Sequence, residues 1–139
     1  MTSTKWWVGD LGIFATHCVT HANLIIGGKN LGIQTFIVPL REVKTHKPFP
    51  GILVGEIGPK LGYNVKDNGY LRFDNYRVPR ENMLMKYAKV SKKGEFSKAM
   101  NEKIRYATMM QVRTAIPRNS FCTMALGVTI ATRYSLTRT

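Results

Sequence analysis

Of the 12 glycines in this chain, only Gly127 lies between Asn101 and Thr139. Glycine is costly inside a helix and useful wherever backbone must turn tightly. Its near absence from the last segment therefore favours helix, and its abundance upstream favours strands and turns. In the glycine-poor segment Ile104, Ala107, Met109 and Met110 recur at helical spacing. Pro117, in "AIPRNS", is expected to divide or kink that helix, with Asn119 or Ser120 available to cap a second one. Met109, Met110, Phe121 and Met124 read as core facing other helices rather than as a ligand stripe. The fold class implied is α+β, with the β region first.

Within the β region, "HCVTHANLII" is β-branched, apolar and partly alternating, and "IQTFIVPL" repeats that character after "GGKNLG". We read strand, glycine turn, strand, with Pro39 marking an edge or the strand's exit because proline cannot donate to a ladder. Residues 44–62 hold three prolines and four glycines, so a strand there is short, within "ILVGEI", and the segment is a structured loop wrapped on a sheet. In "DNGYLRFDNYRVPREN", Asp67, Asn68 and Gly69 are turn formers. Leu71 and Phe73 alternate with Tyr70, Arg72 and Asp74 as a strand with one wet face would, and Pro79 stops it. Residues 89–98 are polar and lysine-rich, with Gly94 as a turn.

A chain of 139 residues suits one domain, or one domain and part of another. No apolar run is long enough to span a bilayer, and no basic segment followed by an apolar one opens the chain. Cys18 and Cys122 are too far apart in sequence to form a short-spaced metal or redox pair, so a reducing compartment is the default. The 21 Lys and Arg against 8 Asp and Glu give a formal charge of +13. Such an excess attracts phosphates or belongs to a piece of a larger protein that carries the acids elsewhere. The basic residues are spread along the chain rather than massed, so nucleic acid is not the expected partner.

The stretch "KWWVGDLG" sets two indoles beside Gly9 and Gly12. Paired tryptophans are costly to solvate, and glycines let backbone approach something closely, so the stretch suits either a flat cofactor or a hairpin corner. His17 and His21 would share a face of a helix, but on a strand they stand about 13 Å apart, too far for one metal ion. No nucleophile sits in a recognisable elbow, and "GGKN" lacks the spacing of a phosphate loop.

Several stretches together resemble the acyl-CoA oxidases, flavoproteins related to the acyl-CoA dehydrogenases. They are "TSTKWW" with Gly9, Leu11 and Gly12, then "FIVPLRE", "THKPFPG", "GEIGPKLGY", "DNGYLRFDNYRVPRENMLMKYA" and "IATRYSLTR", in the family's order from one end to the other. The resemblance implies an acyl-CoA dehydrogenase-like middle β-barrel or sandwich domain over residues 1–88, a linker over 89–100, and the first helices of an α-helical bundle domain over 101–139. The chain is thereby expected to be an internal fragment. The N-terminal helical domain and the later helices bearing the glutamate base are missing, so no catalytic residue is assigned and the isolated chain is expected to be inactive.

The resemblance further implies FAD as cofactor, fatty acyl-CoA and oxygen as substrates, desaturation to trans-2-enoyl-CoA with release of hydrogen peroxide, a homodimer when full length, and the peroxisome as location. The chain's last residues, "SLTRT", are not a peroxisomal address. Trp7 would cover the flavin ring, Gly9 would give backbone contact beside it, and Arg138 would reach the flavin pyrophosphate of a neighbouring subunit. Dehydrogenase relatives place threonine about where Gly9 stands, so the smaller residue is expected to leave room for oxygen. Four places depart from the family pattern: Val8 replaces a proline, Asp10 a glycine and Ile13 a lysine, and "TAIPRNS" puts Pro117 where the family has a smooth helix. An acid at position 10 near a flavin phosphate is expected to be unfavourable. The alternative is a non-catalytic binding remnant of the same domain, with a basic surface for anionic partners.

Overall fold

A computed structural model describes residues 1–98 and 102–138, without the side chains of 102–106, 108 and 109. Asn101, Thr139 and the side chains of Ile104 and Met109 thus lie outside the described residues. The chain separates into two compact units, the first being Met1–Lys98. It holds β1 (Ser3–Gly9), β2 (His17–Ile26), β3 (Lys29–Pro39), β4 (Ile52–Glu56), β5 (Asn68–Phe73), one 3-10 turn (Arg80–Asn82), β6 (Ala88–Val90) and β7 (Phe96–Lys98). The second carries α1 (Glu102–Thr137). Mixed strands with one C-terminal helix make this an α+β chain.

Three antiparallel sheets form in the first unit, ordered β1-β5-β4, β2-β3 and β6-β7. The β2–β3 ladder runs from His17 opposite Pro39 to Ile26 opposite Lys29. Gly27 and Gly28 alone make its turn, at φ 56° and 75°. A two-residue turn that needs positive φ twice matches strand twist, which is why glycine fills both places. The turn is tighter than "GGKNLG" suggests, because Lys29–Gly32 already belong to the returning strand. Pro39 is the last residue of β3, the exit its missing donor permits.

Leu11, Val38, Leu40, Leu71 and Phe73 form the buried core, with Val8, Ile52, Val54 and Tyr76 packed against it. It joins the β1-β5-β4 sheet to the end of β3. Alternation along β5 sends Leu71 and Phe73 inward and leaves Arg72 exposed. The Tyr76 ring stacks on Phe73 with centroids 6.1 Å apart, and its hydroxyl donates to the Pro39 carbonyl at 3.0 Å. Burial pushes the Tyr76 pKa up.

Two expectations need correcting. Asn68 and Gly69 are not a turn: both lie in β5, the central strand of its sheet, and Asp67 precedes them, buried. Their turn preference is overridden because β1 and β4 pair with this strand from both sides, and because a side chain at 69 would strike backbone. A Cβ there would stand 2.5 Å from the Gly12 nitrogen. Pro117, in turn, does not divide α1, which runs through it as one element of 36 residues. Proline removes one donor from the ladder, and the remaining rungs on both sides carry the helix across. Asn119 and Ser120 are therefore helical rather than caps, and the Asn119 carbonyl accepts from the Thr123 hydroxyl at 3.0 Å.

Met110, Phe121 and Met124 are exposed on α1, as are Val112, Ile116, Leu126, Val128 and Ile130. Together with Leu136, also exposed, these residues are distributed around the helix rather than along one stripe, the pattern of one covered on more than one side. No helix among the described residues is long and apolar enough to cross a membrane.

Candidate functional site

Two tryptophans in succession on a regular strand would point to opposite faces. In β1 both are exposed, Trp6 by 66% and Trp7 by 56%. A bulge between Trp6 and Val8 explains this: Trp6 pairs with Tyr70 and Val8 with Gly69, leaving Trp7 as the extra residue. Trp7 takes φ 64°, a left-handed conformation uncommon for a bulky residue. With the insertion, Val8 still reaches the core while a second indole joins the outer surface. Trp6 stacks on Tyr70, ring centroids 6.1 Å apart and planes 18° from parallel.

Next to the indoles, Gly9 closes β1 opposite Asn68. A Cβ at Gly9 would meet only the Lys66 Cε at 3.7 Å and Asn68 Oδ1 at 3.9 Å, so its outer side is open. Asp10 follows at φ 61°, a conformation aspartate tolerates, in the place where the family pattern has glycine. Its carboxylate accepts two hydrogen bonds from Lys66 Nζ, at 2.7 and 2.8 Å. The charge that looked unfavourable beside a phosphate is thus matched locally by a lysine that the sequence reading did not single out.

Residues 10–15 leave β1 as a turn held from two sides. Arg41, 6% exposed, donates to the carbonyls of Leu11 at 3.3 Å, Gly12 at 2.6 Å and Ala15 at 2.9 Å. Asp67, 5% exposed, accepts at Oδ2 from the Ile13 and Phe14 amides at 2.8 and 3.1 Å, and its own carbonyl accepts from the Asp10 amide at 2.6 Å. Asp67 Oδ1 is buried with no hydrogen-bond partner among the described residues. A side chain at Gly12 would collide with that oxygen. The "WWVGDLG" and "DNGY" stretches, over 50 residues apart, therefore build one corner. Arg41, Lys66, Asp67 and Tyr70 were the residues missed. The available signal was a lone arginine directly after the apolar strand "FIVPL" and an acid directly before a strand.

The histidines of β2 do other work: His17 Nδ1 lies 3.1 Å from Thr16 Oγ1, and His21 Nδ1 lies 3.1 Å from Thr35 Oγ1. Burial raises the Cys18 thiol pKa, outweighing the Thr20 hydroxyl 3.1 Å away and the charge of Lys5, so this cysteine is a poor nucleophile at neutral pH. In the second unit Arg138 is exposed just beyond α1, its guanidinium 5.9 Å from the Tyr134 ring centroid.

No family model matches the chain. It is, however, 51% identical over 138 residues to peroxisomal acyl-coenzyme A oxidase 1 of Phascolarctos cinereus, and 51% identical to that of Homo sapiens. Each match takes in 99% of this chain and 21% of the relative. The chain belongs to the acyl-CoA oxidase family. Acyl-CoA oxidase 1 of Arabidopsis thaliana superposes with a TM-score of 0.89 at 45% identity, over 97% of this chain and 21% of that one. Acyl-CoA oxidase-2 of Caenorhabditis elegans, solved with FAD, ascaroside-CoA and ATP, superposes with a TM-score of 0.87 at 43% identity, over 97% of this chain and 20% of that one. The chain thus spans about a fifth of the acyl-CoA oxidases it matches.

A flat ring system suits the corner as built. Two exposed indoles supply apolar surface, Gly9 leaves its outer side open, and the turn behind is fixed by buried polar groups. Trp7 and Gly9 are neighbours on this corner, whereas Arg138 belongs to the other unit.

Proposed function

We propose that this chain is the cofactor-facing part of an FAD-dependent acyl-CoA oxidase. The complete protein desaturates a fatty acyl-CoA to the trans-2-enoyl-CoA, passes the electrons to oxygen as hydrogen peroxide, and works in the peroxisome as the first step of fatty acid β-oxidation. The observation that carries this reading is the bulged tryptophan corner beside an open Gly9, in a chain half identical to peroxisomal acyl-CoA oxidases.

Trp7 lays an indole along the ring system, Gly9 brings backbone close to its edge, and Arg138 offers its fork of donors to the pyrophosphate held by a second copy. Bound FAD would supply the hydride acceptor, and the protein supplies position and electrostatics. Asp10 and Lys66 present a neutral pair at the corner, so the acid does not repel the cofactor's phosphates. The base that removes the substrate proton comes from sequence outside this chain. Residues 1–88 are the middle β domain, 89–100 the passage between domains, and 101–139 the start of the helical domain. Helices from the rest of that domain cover the apolar sides of α1, and the full-length protein is a homodimer.

Expression of the complete protein tests the reading. The expected result is a yellow protein with flavin absorbance that releases peroxide on palmitoyl-CoA, while the 139-residue chain alone releases none. A complete protein that is colourless after supply of FAD overturns it.

A further inference from the structure

Arg41 and Asp67 are both buried, and among the described residues neither joins an ion pair. A buried charge left to itself is expensive, so each must be answered by something else. The answer is shared. The carbonyl of Gly12 and the amide of Ile13 belong to one peptide unit. Arg41 Nη2 donates to that carbonyl at 2.6 Å, while Asp67 Oδ2 accepts from that amide at 2.8 Å. A cation and an anion thus grip the two poles of a single peptide dipole. Further bonds from Arg41 to the Leu11 and Ala15 carbonyls, and from the Phe14 amide to Asp67, hold the peptides on either side. Gly12 must be glycine for the grip to close, since a side chain there would displace the Asp67 carboxylate and strike the Glu56 backbone.

We propose that Arg41 and Asp67 act as one coupled pair of positioning residues, transmitting through the Gly12–Ile13 peptide and setting where the Trp7–Asp10 corner meets its cofactor. The proposal rests on the reading of that corner as the flavin seat. The coupling to the corner is direct: the Asp67 carbonyl accepts from the Asp10 amide, and Asp10 lies next to Gly9. Neither side chain needs to touch the cofactor. Lysine cannot replace Arg41, because one ammonium does not present the guanidinium fork that reaches three carbonyls. Asparagine at 67 keeps shape but loses the charge that balances Arg41.

The test is FAD titration of the complete protein, followed by flavin absorbance, on wild type, Trp7→Ala, Arg41→Lys, Asp67→Asn and the double variant, with the apoprotein melt recorded for each. We expect Arg41→Lys and Asp67→Asn each to raise the FAD Kd about tenfold with altered flavin band structure. In the double variant the loss should be smaller than the product of the two, as for residues that work through one element. If Trp7→Ala weakens FAD binding while folded Asp67→Asn binds as wild type does with an unchanged spectrum, the proposal falls and the flavin seat stands. Fully multiplicative losses overturn the coupling. If Trp7→Ala has no effect on FAD binding, the seat lies elsewhere and the proposal fails with it. Should Arg41→Lys not fold, the spectrum and Kd of Asp67→Asn decide alone.

Discussion

Gly9 is where one missing side chain has the most functional weight. A Cβ at this position finds only ordinary contacts, 3.7 Å from Lys66 and 3.9 Å from Asn68, so Gly9→Thr should fold normally. In the complete protein we expect it to slow reoxidation of the reduced flavin by oxygen about tenfold, a barrier change of about 1.4 kcal/mol. Stopped-flow mixing with oxygenated buffer reads this directly, and an unchanged rate would remove the idea that Gly9 keeps space for oxygen. Tyr76 shows a different residue-scale effect. Its folded pKa lies above the ordinary value of 10.0 through burial. The neutral form is therefore favoured in the fold, and its contribution to stability is complete below pH 10 and lost as pH rises through the folded pKa. Tyr76→Phe should cost about 0.5–1.5 kcal/mol at neutral pH for the lost bond to Pro39. Denaturant melts from pH 8 to 11 should show wild type losing that margin at the alkaline end while the variant does not.

At the scale of elements, the strand of residues 17–26 was legible to its last residue, because a run of β-branched side chains followed by two glycines leaves little choice. The Asp67–Gly69 stretch was not. Composition says turn, and only partners brought from residues 3–9 and 52–56 make Asn68 and Gly69 part of a central strand. The same long-range pairing hid the site. Trp7 and Gly9 stood out as odd side chains in one octapeptide, whereas Arg41 and Asp67 are ordinary residues whose roles exist only after three segments have met. In α1 the local penalty of Pro117 is consistent with a break, yet the ladder on either side carries the helix through without one. That penalty still acts. Pro117→Ala should make the helix more stable, by up to about 3 kcal/mol, seen as a rise in the temperature at which far-ultraviolet circular dichroism is lost.

For the molecule as a whole, the surplus of positive charge and the apolar girth of α1 both describe something that works in company. Arg138 is the sharpest instance, an exposed guanidinium resting near Tyr134 with no acid beside it among the described ion pairs. Arg138→Lys in the complete protein should weaken FAD about tenfold, since lysine offers a point charge where a fork of donors is wanted, and isothermal titration would measure it. The β1 bulge has a last consequence. Trp7 is surplus to the ladder: remove it, and Trp6, Val8 and the strands behind them can join in unbroken alternation with the interior untouched. A variant lacking that one residue should be at least as sturdy as its parent, yet unable to turn yellow. Folding and occupation would then be shown to answer to different letters of the same strand.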